Sequence, residues 1–363
     1  MNIDIIAGAR PNFIKIAPII EAIISQANLG RNIHFRLIHT GQHYDKNMSD
    51  SFFVQLGIPE PHFNLGAGGG SQAEQCAVIM IGYEKLLQKQ SSDLCLVVGD
   101  VTSTMACAIV ARKMNIPVAH VEAGIRSGDW TMPEEINRIV TDSITNYFFT
   151  TTMLASENLR KQGVEEKQIF FVGNTMIDTL KKHQSNFKKP IFWDRLKLEK
   201  GNYLLLTIHR PSNVDDKIKL QSFLEEILKY SKQAPVIFPV HPRTSKVLSE
   251  LNLSNERLHL IDPLGYLEFN FLSENAMAVI TDSGGITEEA TVMGVPCITL
   301  RDNTERPETI SIGTNELIGT NPLAIQPALE KLFEGKWKKG AIPEKWDGKT
   351  SERIIETIIN LNL

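Results

Sequence analysis

Cysteine is scarce in this chain. Cys76, Cys95, Cys107 and Cys297 are the only four in 363 residues, each lies in an apolar stretch, and none has Cys-x-x-Cys spacing. That pattern excludes a disulfide framework and a zinc site, and it fits reduced, packed thiols in a cytoplasmic protein; no metal and no cofactor are expected. Long apolar runs are missing too, since no window approaches the roughly 18–20 residues that span a bilayer, so no membrane partner is expected. The start, Met1-Asn2-Ile3-Asp4-Ile5-Ile6, reads as a strand and not as a signal peptide, because it lacks a basic region, a long apolar core and a small-residue cleavage site. A formal net charge of −4 leaves no basic field for a nucleic-acid partner. Phosphate affinity must therefore be local. Three common signatures are absent as well: Gly-x-Gly-x-x-Gly, the P-loop Gly-x-x-x-x-Gly-Lys-Ser/Thr, and the hydrolase Gly-x-Ser-x-Gly.

The length suits two domains of ordinary size. Short β-rich runs alternate with helical patterns: Asp4–Ala7 then Phe13–Ala27, Phe35–His39 then Lys46–Leu56, Leu94–Gly99 then Thr102–Met114, Val118–Glu122 then Pro133–Asn146. Alternation of this kind predicts parallel sheet with crossover helices. A polar, Lys-rich stretch from Lys181 to Gly201 reads as a linker, and a second series from Tyr203–Thr207 to Leu323–Phe333 repeats the pattern. The expected fold class is α/β, with two Rossmann-like, doubly wound domains at 1–175 and 176–349. The last helix, with Ile354, Ile355, Ile358 and Ile359 on one face, is expected to pack over 350–363 back onto the first domain. Four glycines among Leu65–Ser71 mark a loop expected to be mobile.

In open α/β sheets ligands bind beyond the carboxyl ends of the strands. This chain places polar residues there repeatedly. Thr281-Asp282-Ser283-Gly284-Gly285-Ile286-Thr287-Glu288-Glu289 follows the apolar run Ala276–Ile280. A strand that turns through Ser-Gly-Gly into a helix aims free N–H groups at one point, which makes an anion site, and a glutamate one turn later can hold a ribose diol. The same residues also make an ordinary capped turn. Gly8-Ala9-Arg10-Pro11-Asn12-Phe13-Ile14-Lys15 follows the first strand, with Arg10 and Lys15 able to face an anion. Further strand ends carry His39-Thr40-Gly41-Gln42-His43, Gly99-Asp100 and His120-Val121-Glu122-Ala123-Gly124-Ile125-Arg126. In Pro133-Glu134-Glu135-Ile136-Asn137-Arg138, the glutamates suit a first helical turn, and Glu134 and Arg138 are i,i+4 neighbours; dipole compensation alone would also explain the acids. The second half supplies Thr207-Ile208-His209-Arg210, His241-Pro242-Arg243 and Thr304-Glu305-Arg306-Pro307-Glu308. Carboxylates, a histidine, arginines and a diphosphate cradle together suit proton transfer on a nucleotide-activated substrate.

Taken in order, these motifs resemble the non-hydrolysing UDP-N-acetylglucosamine 2-epimerases from residue 3 to about residue 320. The resemblance implies a GT-B-type fold with an active site in the interdomain cleft, a homodimer, a UDP-sugar substrate and a role in surface polysaccharide synthesis. The implied reaction interconverts UDP-N-acetylglucosamine and UDP-N-acetylmannosamine: UDP is eliminated across C1–C2 to leave a 2-acetamidoglucal, then added back with C2 reprotonated on the other face. By motif position Asp100, Glu122, Glu134 and His209 are the catalytic candidates, with acid and base unassigned among the carboxylates. Arg10, Ser283, Gly284 and Gly285 fall on the diphosphate, Glu289 on the ribose, Phe269 against uracil, and Arg306 in the sugar pocket. Lys15 and Arg138 orient carboxylates or phosphates.

Departures from the family pattern also count. Asn12 stands where the commonest form has Glu, which opens the choice of substrate. Gln42, Arg210 and His241 match part of a regulatory site for a second substrate molecule, but Asp45 and the segment around Ser71 replace its glutamine and arginine. Activation by substrate is therefore expected to be weak or absent. Three other enzymes compete as readings: a 2-epimerase of another UDP-sugar such as UDP-2,3-diacetamido-2,3-dideoxyglucuronate, a hydrolysing epimerase, and a GT-B glycosyltransferase. A nucleotide-sugar-binding regulator is the non-enzymatic alternative.

Overall fold

A computed structural model describes residues 1–41, 53–240, 242–251 and 255–361, and for Arg10, Pro242 and Arg243 it describes the backbone only. The chain forms two units, Met1–Lys182 with Glu344–Leu363, and His183–Pro343. In the first unit seven strands run parallel: β1 (Asn2–Ala7), β2 (His34–His39), β3 (Phe63–Asn64), β4 (Leu94–Val98), β5 (Val118–Val121), β6 (Tyr147–Thr150) and β7 (Ile169–Phe171). Their order in the sheet is β3-β2-β1-β4-β5-β6-β7. The chain thus winds outward one way from β1, then returns and winds the other way from β4. That reversal is the topological switch of a doubly wound Rossmann-like sheet.

Helices cover both faces, so the central strands read as continuous apolar runs. Ile3, Ile5 and Ile6 of β1 and all of β4 are buried. Asp4 breaks the run in β1. Its carboxylate accepts from Arg36 Nε at 2.6 Å and Nη2 at 2.8 Å, and from the Tyr83 hydroxyl at 2.9 Å, which joins β1 to β2 and to the helix Gln72–Lys89. That helix was not read from the sequence, although Ser71 and Glu74 form its capping box. The expected helix Lys46–Leu56 lies mostly outside the described residues.

The second unit repeats the plan with six parallel strands: β8 (Leu204–Thr207), β9 (Val236–Pro239), β10 (Leu258–Ile261), β11 (Ala278–Thr281), β12 (Cys297–Thr299) and β13 (Asn315–Leu317). The order β10-β9-β8-β11-β12-β13 again reverses between its first and fourth strands. Thr207 pairs with Thr281 in register across that junction, and their hydroxyls hydrogen-bond at 2.7 Å.

After the second unit the chain rejoins the first. Trp346 is fully buried there and donates its indole N–H to the Thr151 carbonyl at 3.1 Å. Lys345 Nζ donates to the Phe171 carbonyl at 2.8 Å. The helix Thr350–Asn360 then buries Ile354, Ile355 and Ile358 and packs against the helix Arg10–Asn28. Its first turn is capped from a distance, because the Asp178 carboxylate accepts from Thr350 N at 3.1 Å and from Ser351 N at 2.7 Å. Asp178→Ala leaves those buried amides without an acceptor and should lower the unfolding free energy by about 1–2 kcal/mol. Urea titration followed by Trp fluorescence checks it, with Asp178→Asn expected to lose less.

Candidate functional site

Between β1 and β4 the chain enters the helix Arg10–Asn28, whose start is tied down by Asn12. The Asn12 side chain accepts from Gly8 N at 3.2 Å and Ala9 N at 3.0 Å, and donates to the Val98 carbonyl at 3.0 Å. An amide can donate as well as accept, so here it bridges the two central strand ends, which a carboxylate could not do. One turn on, Lys15 Nζ lies 2.7 Å from Glu122 Oε2. Both side chains are buried. Gly99 has φ +70°, the left-handed region that favours glycine, and a Cβ there would come within 3.3 Å of the flexible end of Lys15.

Asp100 follows at once and is about one-quarter exposed. Arg138, from the helix Pro133–Ile144, pairs with its Oδ2, and Asn137 Nδ2 donates to its backbone carbonyl at 2.8 Å. Arg138 Nη1 also donates to Glu135 Oε2 at 2.8 Å. Glu135 is buried and further accepts from Ser127 N, Ser127 Oγ and Gly128 N at 2.9–3.0 Å. Burial works against its charge, yet the Ser127 and Gly128 amides and Arg138 hold it below the usual carboxylate range. Glu135 was given no role of its own beyond its place in the first helical turn, and it is the brace of the 127–128 turn. Glu134, next to it, is half-buried.

In the second unit the matching junction carries His209 and the 281–289 segment. Asp282, fully buried, accepts from His209 Nδ1 at 2.9 Å, from His209 N at 3.1 Å, from Arg210 N at 2.9 Å and from Asn213 Nδ2 at 3.2 Å. Burial opposes its charge, but the hydrogen bond and charge of His209 lead the contacts that hold its carboxyl below the usual value. The His209 side chain is half-exposed, and a carboxylate on Nδ1 leaves Nε2 as the outward nitrogen. Asp282 was not singled out in the sequence as a site residue. The signal was its place at a strand end one residue before the Ser-Gly-Gly turn.

Ser283 caps the helix Gly284–Met293 with extended backbone, and its hydroxyl makes no capping bond. A Cβ on Gly284 would come within 2.8 Å of Glu305 Oε1. Glu305 itself is held by Arg301 Nη2 at 2.6 Å. On the same helix Glu288, buried, lies 2.7 Å from Arg306 Nε. Arg306 is therefore part of a buried pair and not of a solvated charged loop. Phe269 is half-buried on the helix Tyr266–Asn275. Gln42 and His241 lie outside the described residues, as does the side chain of Arg10.

Residues 27–359 match the family model described as UDP-N-acetylglucosamine 2-epimerase. A Methanocaldococcus jannaschii protein named UDP-N-acetylglucosamine 2-epimerase is 44% identical over 99% of both chains. A Pseudomonas aeruginosa UDP-2,3-diacetamido-2,3-dideoxy-D-glucuronate 2-epimerase is 39% identical over 99% of this chain and 100% of its own. A crystal structure of the Methanocaldococcus jannaschii UDP-GlcNAc 2-epimerase in complex with UDP-GlcNAc and UDP superposes with TM-score 0.88 at 43% identity, covering 99% of this chain and 100% of that one. The two Rossmann-like units are those of a GT-B-type fold.

Glu289 differs from the other acids of the second unit. It is buried, and it accepts from the Tyr266 hydroxyl at 2.9 Å. Burial pushes its carboxyl up to about 7 from 4.5, with the Tyr266 and Asn270 hydrogen bonds pulling the other way. A folded-state value above the unfolded one means that the protonated form favours folding. That contribution is complete below about 4.5 and disappears as pH rises through about 7. Ionised Glu289 then costs at most ~3 kcal/mol relative to its neutral form. Glu289→Gln should therefore resist denaturant better than the parent at pH 8, with the difference shrinking toward pH 5. Urea unfolding of both proteins at the two pH values checks the sign.

Proposed function

The chain belongs to the UDP-N-acetylglucosamine 2-epimerase family, and from that premise we propose that it interconverts UDP-N-acetylglucosamine and UDP-N-acetylmannosamine by elimination and re-addition of UDP. The C2 hydrogen is not acidic enough for direct removal to an anion. In the proposed reaction a carboxylate takes that proton as the C1–O bond breaks, UDP leaves with the electron pair, and a C1=C2 double bond remains. On return, a second group protonates C2 from the opposite face while a diphosphate oxygen re-forms the bond to C1. Two proton-handling groups are needed.

The observation that carries this reading is the pair of strand-end carboxylates in the first unit, each set against a cation: Glu122 on Lys15, and Asp100 on Arg138. A short charge-assisted bond fixes the direction in which each carboxylate points, which a proton-transfer group requires. Glu134 is the third candidate, and which acid removes and which returns the proton stays open. His209, with Nδ1 on Asp282, turns Nε2 outward, and once that nitrogen is protonated it donates to the departing diphosphate. Ser283 and the Gly284 and Gly285 amides supply further donors, and Arg10 adds a charge. Glu289 takes the ribose hydroxyls, Phe269 the uracil face, and Arg306 belongs with the sugar.

Incubation with UDP-N-acetylglucosamine in D2O, followed by proton NMR, should show deuterium entering at C2 as UDP-N-acetylmannosamine forms. Asp100→Asn should lower that exchange by about 10²–10⁴-fold and still bind UDP. Absence of exchange in the unaltered protein would overturn the reading. The resemblance to the Pseudomonas aeruginosa uronate epimerase favours one second reading, and running UDP-2,3-diacetamido-2,3-dideoxyglucuronate beside UDP-N-acetylglucosamine separates the two. Free N-acetylmannosamine would mark a hydrolysing enzyme.

We also propose a cytoplasmic homodimer. Support for the dimer comes from Val78 and Ile81, which stand 43% and 54% exposed on the helix Gln72–Lys89. Light scattering should give twice the chain mass, and Ile81→Glu should shift it toward the single-chain value; a single-chain mass for the parent would sink the proposal.

A further inference from the structure

Three left-handed backbone positions lie at neighbouring strand ends of the first unit: Gly99 (φ +70°), Glu122 (φ +72°) and Gly124 (φ +78°). For glutamate that conformation costs about 1–2 kcal/mol and persists only where the surroundings over-determine it. The surroundings are specific. Glu122 N and Ala123 N both donate to the Phe149 carbonyl, at 3.0 and 3.2 Å. Gly124 N donates to Asp142 Oδ2 at 3.0 Å, and Arg126 Nη2 lies 2.6 Å from the same oxygen. The other oxygen, Asp142 Oδ1, lies 2.7 Å from His120 Nδ1, and His120 Nε2 lies 2.8 Å from the Gly99 carbonyl.

His120 is fully buried, and both of its ring nitrogens meet acceptors. A carbonyl oxygen can only accept, so Nε2 carries a proton. Asp142 is buried too. Its Oδ2 meets the Arg126 guanidinium and the Gly124 amide, which can only donate, and a buried acid set on a guanidinium is a carboxylate. A carboxylate also only accepts, and Nδ1 must therefore carry a proton as well.

We propose that His120, as a buried imidazolium anchored on Asp142, is the positioning residue that locks the turn bearing Asp100 to the turn bearing Glu122. One ring reaches both turns: the Gly99 carbonyl immediately precedes Asp100, while Asp142 grips Gly124 two residues beyond Glu122. Neutral histidine has a single N–H and would release one of them. The proposal rests on the reading that Asp100 and Glu122 handle the C2 proton. Two transfers to opposite faces of one carbon demand a fixed separation of the two acids, and a misplacement of about 1 Å costs on the order of a hundredfold in rate.

The test has two arms. Protein labelled with ¹⁵N-histidine should show, at pH 7.5, one ring whose two nitrogens are both protonated and whose N–H protons are protected from exchange with water. That signal should vanish in His120→Gln. A ring with one bare nitrogen would overturn the proposal. In the kinetic arm His120→Gln and Asp142→Asn should lower kcat for C2 exchange by on the order of a hundredfold, while KM and the Kd for UDP stay within about twofold. Unchanged kcat, or UDP affinity falling in step with kcat, would count against positioning. Should both variants fail to fold, the spectrum of the parent protein still decides. Failure of the underlying reading would be seen separately, as no exchange in the parent protein whatever the state of the ring.

Discussion

The structure depends on one topological constraint, the reversal of winding between the first and fourth strands of each sheet. Adjacent parallel strands normally deliver their following loops to the same face of the sheet, where these fill the space beyond the strand ends. At the reversal the two loops part to opposite faces and a crevice remains. In the first unit the crevice lies between β1 and β4, and Asn12 spans it by donating to the Val98 carbonyl. In the second it lies between β8 and β11, and the Asp282 contacts to His209 and Arg210 span it. The chain has closed both crevices with side chains that carry hydrogen bonds.

A second rule governs the charges. Asp100, Glu122, Asp282 and Glu288 each sit beside a basic side chain, respectively Arg138, Lys15, His209 and Arg306. Removing ions from water is costly, and partners within hydrogen-bond reach offset much of that cost. Such pairs seldom add much net stability. Their effect is to hold direction, since a short charge-assisted bond fixes both side chains where a solvated acid would rotate. Glu289 has the Tyr266 hydroxyl instead, whose hydrogen bond lowers its carboxyl by less than burial raises it. Buried Asp282, held by His209, and buried Glu289, with no cation on it among the described residues, thus shift in opposite directions.

The sequence made much of this legible, for identifiable reasons. Period-two and period-3.6 patterning located most strands and helices, and polar residues at strand ends located Asp100, Glu122, His209 and the 281–289 turn. The helix Gln72–Lys89 was not legible because the Ser71–Glu74 box that starts it follows directly on a glycine-rich loop. Arg138 was read as a neighbour of Glu134 by spacing, whereas the fold sets it against Glu135 and, across 38 positions, Asp100. Partnerships such as Asp282 with His209, 73 residues apart, have no local signature. The left-handed backbone of Glu122 was illegible for another reason: glutamate announces nothing about φ, and only the surrounding hydrogen bonds enforce it.

The return of residues 344–361 to the first unit has a consequence for how the protein is made. Trp346, the amides capped by Asp178 and the isoleucine face of the last helix complete a sheet-and-helix layer begun by the opening residues. Ribosomes add about 5–20 residues per second, so the intervening 183–343 segment takes on the order of 10 s to emerge. Throughout that interval the second unit can mature while the first waits with an uncovered apolar strip along the helix Arg10–Asn28. Chaperone demand during synthesis therefore falls on the half of the protein that is translated first.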